Sequence, residues 1–254
     1  PVPVFPGAQL SQLFMPTKTT VLAATATVLS VVALGVAVAA WIQAWMNQPL
    51  DEAPEAAPIE IGDIAGVVAR DSDIAIDLTP FDEGGNTQVI WRCGKVLAGS
   101  RFDYAGAWTH LGGRVLIDPT TRTLRAGELH ITLAAMRGHG DHPAPNAMIN
   151  TVRSNQWFVP EHANAVLTAF DVKARTEGEN AAFDRAIADW THALSCKLQL
   201  NGIERDLTVY ARLELGDRSL RLAAVFAISR AEFEVKKRTG FEPPTEVDDE
   251  VLLE

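Results

Sequence analysis

From Thr19 to Leu50 the chain carries no Asp, Glu, Lys, Arg or His, and a charge-free run of that length does not sit comfortably in water. Its centre, Val21 to Ile42, supplies the roughly 20 apolar residues that span a hydrocarbon core of about 30 Å. A buried core helix would be shorter or amphipathic. The run therefore predicts one transmembrane helix over 19–46. Ala37-Val-Ala39 before Ala40 resembles the small-residue cleavage site of a signal peptide, but the apolar stretch exceeds the roughly 7–15 residues of a signal-peptide core. Pro1 fits an N-terminus that has lost its initiator Met, so a retained helix is expected.

The flanking charges set an orientation. Lys18 stands before the helix, and Asp51, Glu52, Glu55, Glu60 and Asp63 follow it. By the positive-inside rule the N-terminus is expected in the cytoplasm and the rest of the chain in the periplasm, a single pass through a bacterial inner membrane. Trp41 and Trp45 then fall at the outer interface. Small residues, among them Ala23, Thr27, Ser30, Gly35 and Ala39, would let a neighbouring helix approach closely. Two readings of that composition stand: a helix packed among subunits of an integral membrane complex, or a plain anchor in the lipid bilayer. Residues 1–18 hold three early prolines, which forbid a regular helix, and are expected to lie along something apolar at the cytoplasmic side. Residues 47–62 read as an acidic, Pro- and Ala-rich tether of the semi-rigid kind.

The domain expected over 63–254 is long enough for one sizeable core. With a net charge of −10 for the whole chain, binding to nucleic acid or docking on anionic lipid is disfavoured. Its pattern is mostly β. Trp190, His192, Leu194, Cys196, Leu198 and Leu200 alternate with polar residues, as a half-buried strand requires. Asn201-Gly202 is a strong hairpin signal, after which Leu207, Val209, Ala211, Leu213 and Leu215 repeat the alternation. Gly216-Asp217 turns the chain again into Leu220, Leu222, Ala224, Phe226 and Ile228, a third strand. Short helices are expected at Asn180–Ala188 and Ala147–Trp157. Many antiparallel strands with little helix suggest a closed barrel, which removes exposed edges.

Several stretches carry a resemblance. Leu198–Val209, Phe226–Val235 and Val247–Leu253 look like the closing half of the YceI-like family of lipocalin-type barrels. Gly106–Asp118 and Val152–Val159 are similar to segments of its first half. The resemblance implies a mainly β, antiparallel YceI-like barrel with one or two short helices, here preceded by a transmembrane helix. It also implies a periplasmic protein without a catalytic group, whose lumen holds a polyprenyl or other amphiphilic chain. Asp71–Leu78 departs from the family's usual His-Ser entry.

The large rings Trp91, Phe102, Trp108 and Trp190 fall on inward registers and are expected to fill a small barrel. The alternative is an apolar cavity lined by positions such as Leu194, Leu213 and Phe226, holding a polyprenyl, quinone or carotenoid lipid. His139, Asp141 and His142 have the ligand types of a metal site but lack a clear third partner and read as a solvated turn. Cys93 and Cys196 both fall on inward registers, which leaves a disulfide or two buried thiols open. No nucleophile motif or phosphate loop appears, so no enzyme is expected. Two roles remain: a non-catalytic accessory subunit of a photosynthetic or respiratory membrane complex, or a membrane-tethered lipid-binding protein.

Overall fold

A computed structural model describes residues 18–52, 59, 63–64, 66–80, 84–97, 99–154, 157–216, 219–235 and 245–254, the side chains of 18–29, 97, 245 and 246 excepted. These residues fall into two units, one ending at Met46 and one running from Asn47 to Glu254. The N-terminal segment before Lys18 lies outside the described residues, as do the side chains of Ala23 and Thr27.

The first unit is a single helix, α1 (Lys18–Met46). Among the described residues no helix is long and apolar enough to cross a membrane. The expected span is thus reduced to a helix. On it Ser30, Gly35 and Ala39 are exposed, and so are the large apolar side chains Val31, Val32, Leu34, Val36, Val38 and Trp41.

The second unit is mainly β. A seven-stranded antiparallel sheet has the order β1 (Ile74–Leu78), β4 (Leu111–Asp118), β5 (Thr123–Thr132), β7 (Asn164–Ala174), β8 (His192–Leu200), β9 (Ile203–Leu215), β10 (Leu220–Ala224). The second sheet has the order β11 (Phe226–Ser229), β13 (Glu250–Leu253), β2 (Ile90–Leu97), β3 (Ser100–Trp108), β6 (Met136–Gly138), with β12 (Thr245–Val247) also paired to β2. The chain passes between the sheets five times, from β1 to β2, β3 to β4, β5 to β6, β6 to β7 and β10 to β11, so the sheets curl around a shared interior. The barrel is not a closed ring of strands: among the described residues β1 and β10 each pair on one side only.

The alternation over 190–215 forms β8 and β9 in the expected register, Leu200 opposite Ile203. At the turn Asn201 and Gly202 have φ of 57° and 80°, the paired left-handed geometry of a type I′ hairpin. The Asn201 side chain also ties in two loops, accepting from Val159 N at 2.6 Å and donating to Phe233 O at 3.0 Å. The third expected strand is cut. Residues 220–224 pair with β9, whereas 226–229 leave that sheet and pair with β13. Alternation continues unbroken across such a corner because both halves face the same interior.

The helix expected at Ala147–Trp157 is α2 (Asn146–Arg153), with Ala147, Ile149 and Val152 buried. The one expected at Asn180–Ala188 is absent. That stretch closes only isolated turns, Ala186 N to Phe183 O at 3.0 Å and Trp190 N to Ile187 O at 3.2 Å.

The expected tether is also corrected where it is described. Asn146 Nδ2 donates to Gln48 O at 2.9 Å and Asn150 Nδ2 to Pro49 O at 2.8 Å. Asp51 N donates to Asn150 Oδ1 at 2.9 Å, and the Arg153 guanidinium donates to Asp51 O. Residues 48–51 therefore belong to the β unit. Further on, Ile64 and Val67 cover Leu116 and Ala126, which is why β4 is buried on both faces. Residues 53–58 and 60–62 lie outside the described residues.

Candidate functional site: an apolar lumen

Between the two sheets lies a cavity of about 940 Å³, at the upper end of the range for small-molecule sites. Leu194, Cys196, Leu198 and Leu200 of β8, Leu124, Leu129 and Ile131 of β5, and Leu167 of β7 form one wall. Trp91 and Cys93 of β2, Trp108 of β3, Phe226 and Ile228 of β11, and Leu253 of β13 form the other. Met148 and Val152 of α2, with Trp157 and Phe158 after it, cover one side.

The expectation of a lumen filled by rings is overturned, and the geometry of Trp91 gives the reason. Trp91 on β2 is paired with Gly106 on β3. A Cβ at Gly106 would lie 2.5 Å from Cε2, Cζ2 and Nε1 of the indole. With only hydrogen there, the ring lies along the wall instead of projecting across the lumen. Trp108 also stays in the wall, its Nε1 donating to Leu133 O at 3.3 Å. Trp190 does not line the cavity. It is 3% exposed, meets Tyr210 edge to face at 4.9 Å, and has the Arg175 guanidinium 4.7 Å above its ring. Phe102 is exposed at the start of β3 and stacks on Tyr104.

Of the six lumen residues expected from sequence, Trp91, Trp108, Leu194 and Phe226 line the cavity. Trp190 and Leu213 are buried but outside its lining. The alternation did not reveal the lining from Ile76, Leu78, Leu124, Leu129, Met148, Trp157 and Phe158, because their strands and loops are short or irregular.

The opening is marked by residues that both line the cavity and are exposed: Asp77, Thr79, Asn86, Gln88, Ser219, Leu222 and Glu254. A strand in mid-sheet shows every second residue to one face, yet here consecutive residues of β1 (Ile76–Leu78) and β10 (Leu222–Ala224) line the space. They do so because the free edges of these strands border the opening.

Charge at the lumen is compensated by neighbours. Asp77 takes Arg114 Nε at 2.7 Å, and Glu254 takes Arg92 Nε at 2.6 Å. Arg230 donates from Nη1 to Val247 O and Asp248 O at 3.2 and 3.1 Å, and from Nη2 to Val235 O at 3.1 Å, while lying 4.9 Å over the Trp157 ring. The indole N–H groups of Trp91 and Trp157 have no acceptor among the described residues, an omission worth about 1–3 kcal/mol each.

Cys93 and Cys196 are free thiols in the cavity wall. Burial pushes them up to about 11 and about 12, respectively. A protonated thiol is a poor nucleophile, so neither should react with Ellman's reagent in the native protein at pH 8, and both should react on unfolding. Rapid native labelling would contradict this placement. The unfolded chain releases these protons near pH 9 and the folded chain only at 11–12. Their contribution to stability is therefore full below about pH 9 and declines as pH rises towards 12, by roughly 1.4 kcal/mol per pH unit for each thiol.

His139, Asp141 and His142 do not line the cavity, although His139 reaches the rim. His139 Nδ1 is 3.5 Å from Gln88 Nε2, Asp141 and His142 are exposed, and among the described residues no group of three or more His, Cys, Asp or Glu is placed to hold a metal ion.

No family model matches the chain, and no curated protein does. Solved structures do resemble it. Burkholderia cenocepacia BcnA is 18% identical with a TM-score of 0.47, over 65% of this chain and 92% of that one. A Campylobacter jejuni YceI protein is 12% identical with a TM-score of 0.38, over 51% and 70%. A polyisoprenoid binding domain from Saccharophagus degradans implicated in plant cell wall breakdown is 11% identical with a TM-score of 0.40, over 65% and 89%. At such identities and TM-scores these likenesses assign no ligand to the chain.

Proposed function

We propose that this chain is a non-catalytic, membrane-anchored binding protein whose β unit holds a long apolar chain, of polyprenyl, quinone or carotenoid type, in its lumen. One observation carries the reading: a cavity of about 940 Å³ lined mainly by aliphatic and aromatic side chains. A well-packed core holds few voids larger than a water molecule, so a space this large in a unit of this size is matched to an occupant. Counting about 30 Å³ for each water-sized group, it takes a chain of about thirty non-hydrogen atoms. Transfer of such a chain from water is favourable at about 0.8 kcal/mol per buried methylene.

The anchor would be the charge-free run from Thr19 to Leu50, which extends beyond the described side chains and whose exposed Val31, Val32, Leu34, Val36 and Val38 suit lipid; its flanking charges favour the Lys18 end in the cytoplasm and the β unit in the periplasm. A structural cap within a photosynthetic or respiratory complex needs a filled core, and nothing among the described residues favours that role over ligand binding.

The test is to purify the full chain from membranes in mild detergent, extract it with organic solvent and identify the extract by mass spectrometry. The expected result is an isoprenoid or similar long-chain lipid at about one per protein. An empty protein that also fails to take up added long-chain lipid would overturn the reading.

A further inference from the structure

Resting on the lipid-binding reading, we infer that the lumen selects a chain with an uncharged head, such as an alcohol, quinone or ester, and rejects the phosphorylated form of the same chain. The rim decides this. Its polar side chains include Thr79, Asn86, Gln88 and Ser219, all neutral and exposed at the opening. The ionised acids of the rim and lining are Asp77, Glu128 and Glu254; Arg114 and Arg92 are bound to Asp77 and Glu254, His130 Nε2 lies 2.6 Å from Glu128, and none of these three basic residues lines the cavity. Among the described residues Arg230 alone brings a basic side chain to the lining, and its guanidinium is turned to the Val235, Val247 and Asp248 carbonyls and the Trp157 ring.

A phosphate head drawn to this opening would lose water, meet a lining with three carboxylates, and gain a cation only by stripping Arg230 from three carbonyl acceptors. Burial of an unpaired charge is among the costliest events in a protein. A hydroxyl or carbonyl head pairs with the amides of Asn86 and Gln88 and the hydroxyls of Thr79 and Ser219 at no such cost. The basic run Lys236-Lys237-Arg238 lies outside the described residues.

The experiment compares geranylgeraniol with geranylgeranyl phosphate, identical in chain and different in head. Each is titrated into the delipidated full-length protein in detergent at pH 7.5, with tryptophan fluorescence and native mass spectrometry as readouts. The alcohol is expected to bind at least tenfold more tightly. Equal or tighter binding of the phosphate overturns the uncharged-head inference while leaving lipid binding intact. Failure of both to bind, with no other long-chain lipid taken up, overturns the two together. Arg92→Gln and Arg114→Gln, which free the rim carboxylates, should weaken the phosphate further and leave the alcohol within about twofold.

Discussion

Replacement of Gly106 with leucine is expected to abolish lipid uptake while leaving the β unit folded. The position lies inside the wall, opposite Trp91, and a Cβ there would sit 2.5 Å from the indole. Backbone on both strands is held by the β2–β3 ladder, so the ring is the part that moves. Its free direction is the lumen, and leucine adds its own volume behind it. Overpacking of this kind costs about 1–3 kcal/mol, which a domain of ordinary stability survives, whereas a chain-sized space crossed by an indole does not. Uptake of a long-chain alcohol should fall at least a hundredfold, measured by tryptophan fluorescence, with the far-ultraviolet dichroism unchanged. A second variant guards against misfolding: Gly106→Ala with Trp91→Leu, which removes the ring that clashes, should bind more tightly than Gly106→Ala alone. If Gly106→Leu binds lipid like the parent, the wall-lying tryptophan is not what keeps the lumen open.

Loss of Arg230 should be the most damaging single change to stability. Its guanidinium gathers the carbonyls of Val235, Val247 and Asp248, groups far apart in sequence, and covers the Trp157 ring. Methionine in its place keeps much of the apolar stem and leaves three part-buried acceptors without that donor. At about 1.5 kcal/mol for each lost hydrogen bond to a charged group and about 1 kcal/mol for the ring contact, the expected cost is about 5–6 kcal/mol. For a unit of this size the melting temperature then falls by roughly 10–24 °C, read by thermal unfolding of the parent and Arg230→Met side by side. Lysine should recover little, because a single ammonium cannot span the same carbonyls in a plane. A shift of less than about 2 °C would mean that the three carbonyls are held by something else.

The two changes act on different properties. Gly106 controls whether space exists, and Arg230 controls whether the chain segments around that space stay together. Binding lost at constant stability in one variant, and stability lost in the other, would separate them.

The sequence alone determined the alternation that builds β8 and β9, because a strand buried on one face needs apolar residues at every second position. It also determined the turn at Asn201-Gly202, where two successive left-handed residues are needed and asparagine and glycine tolerate them. The charge-free run that becomes α1 was legible for the same local reason. Tertiary structure decided what depends on partners remote in the chain. The strand read through Leu220–Ile228 breaks at Val225 since its second half finds β13, some twenty residues onward, and not β9. The stretch 180–188 closes isolated turns in place of a helix and sends Ile187 to the lumen. Above all, inward-facing tryptophans in a pattern cannot report whether they cross a barrel or lie along its wall. That outcome rests on whether the neighbour across the ladder carries a Cβ, and for Trp91 the neighbour is Gly106, fifteen residues away along the chain and directly opposite it in the sheet.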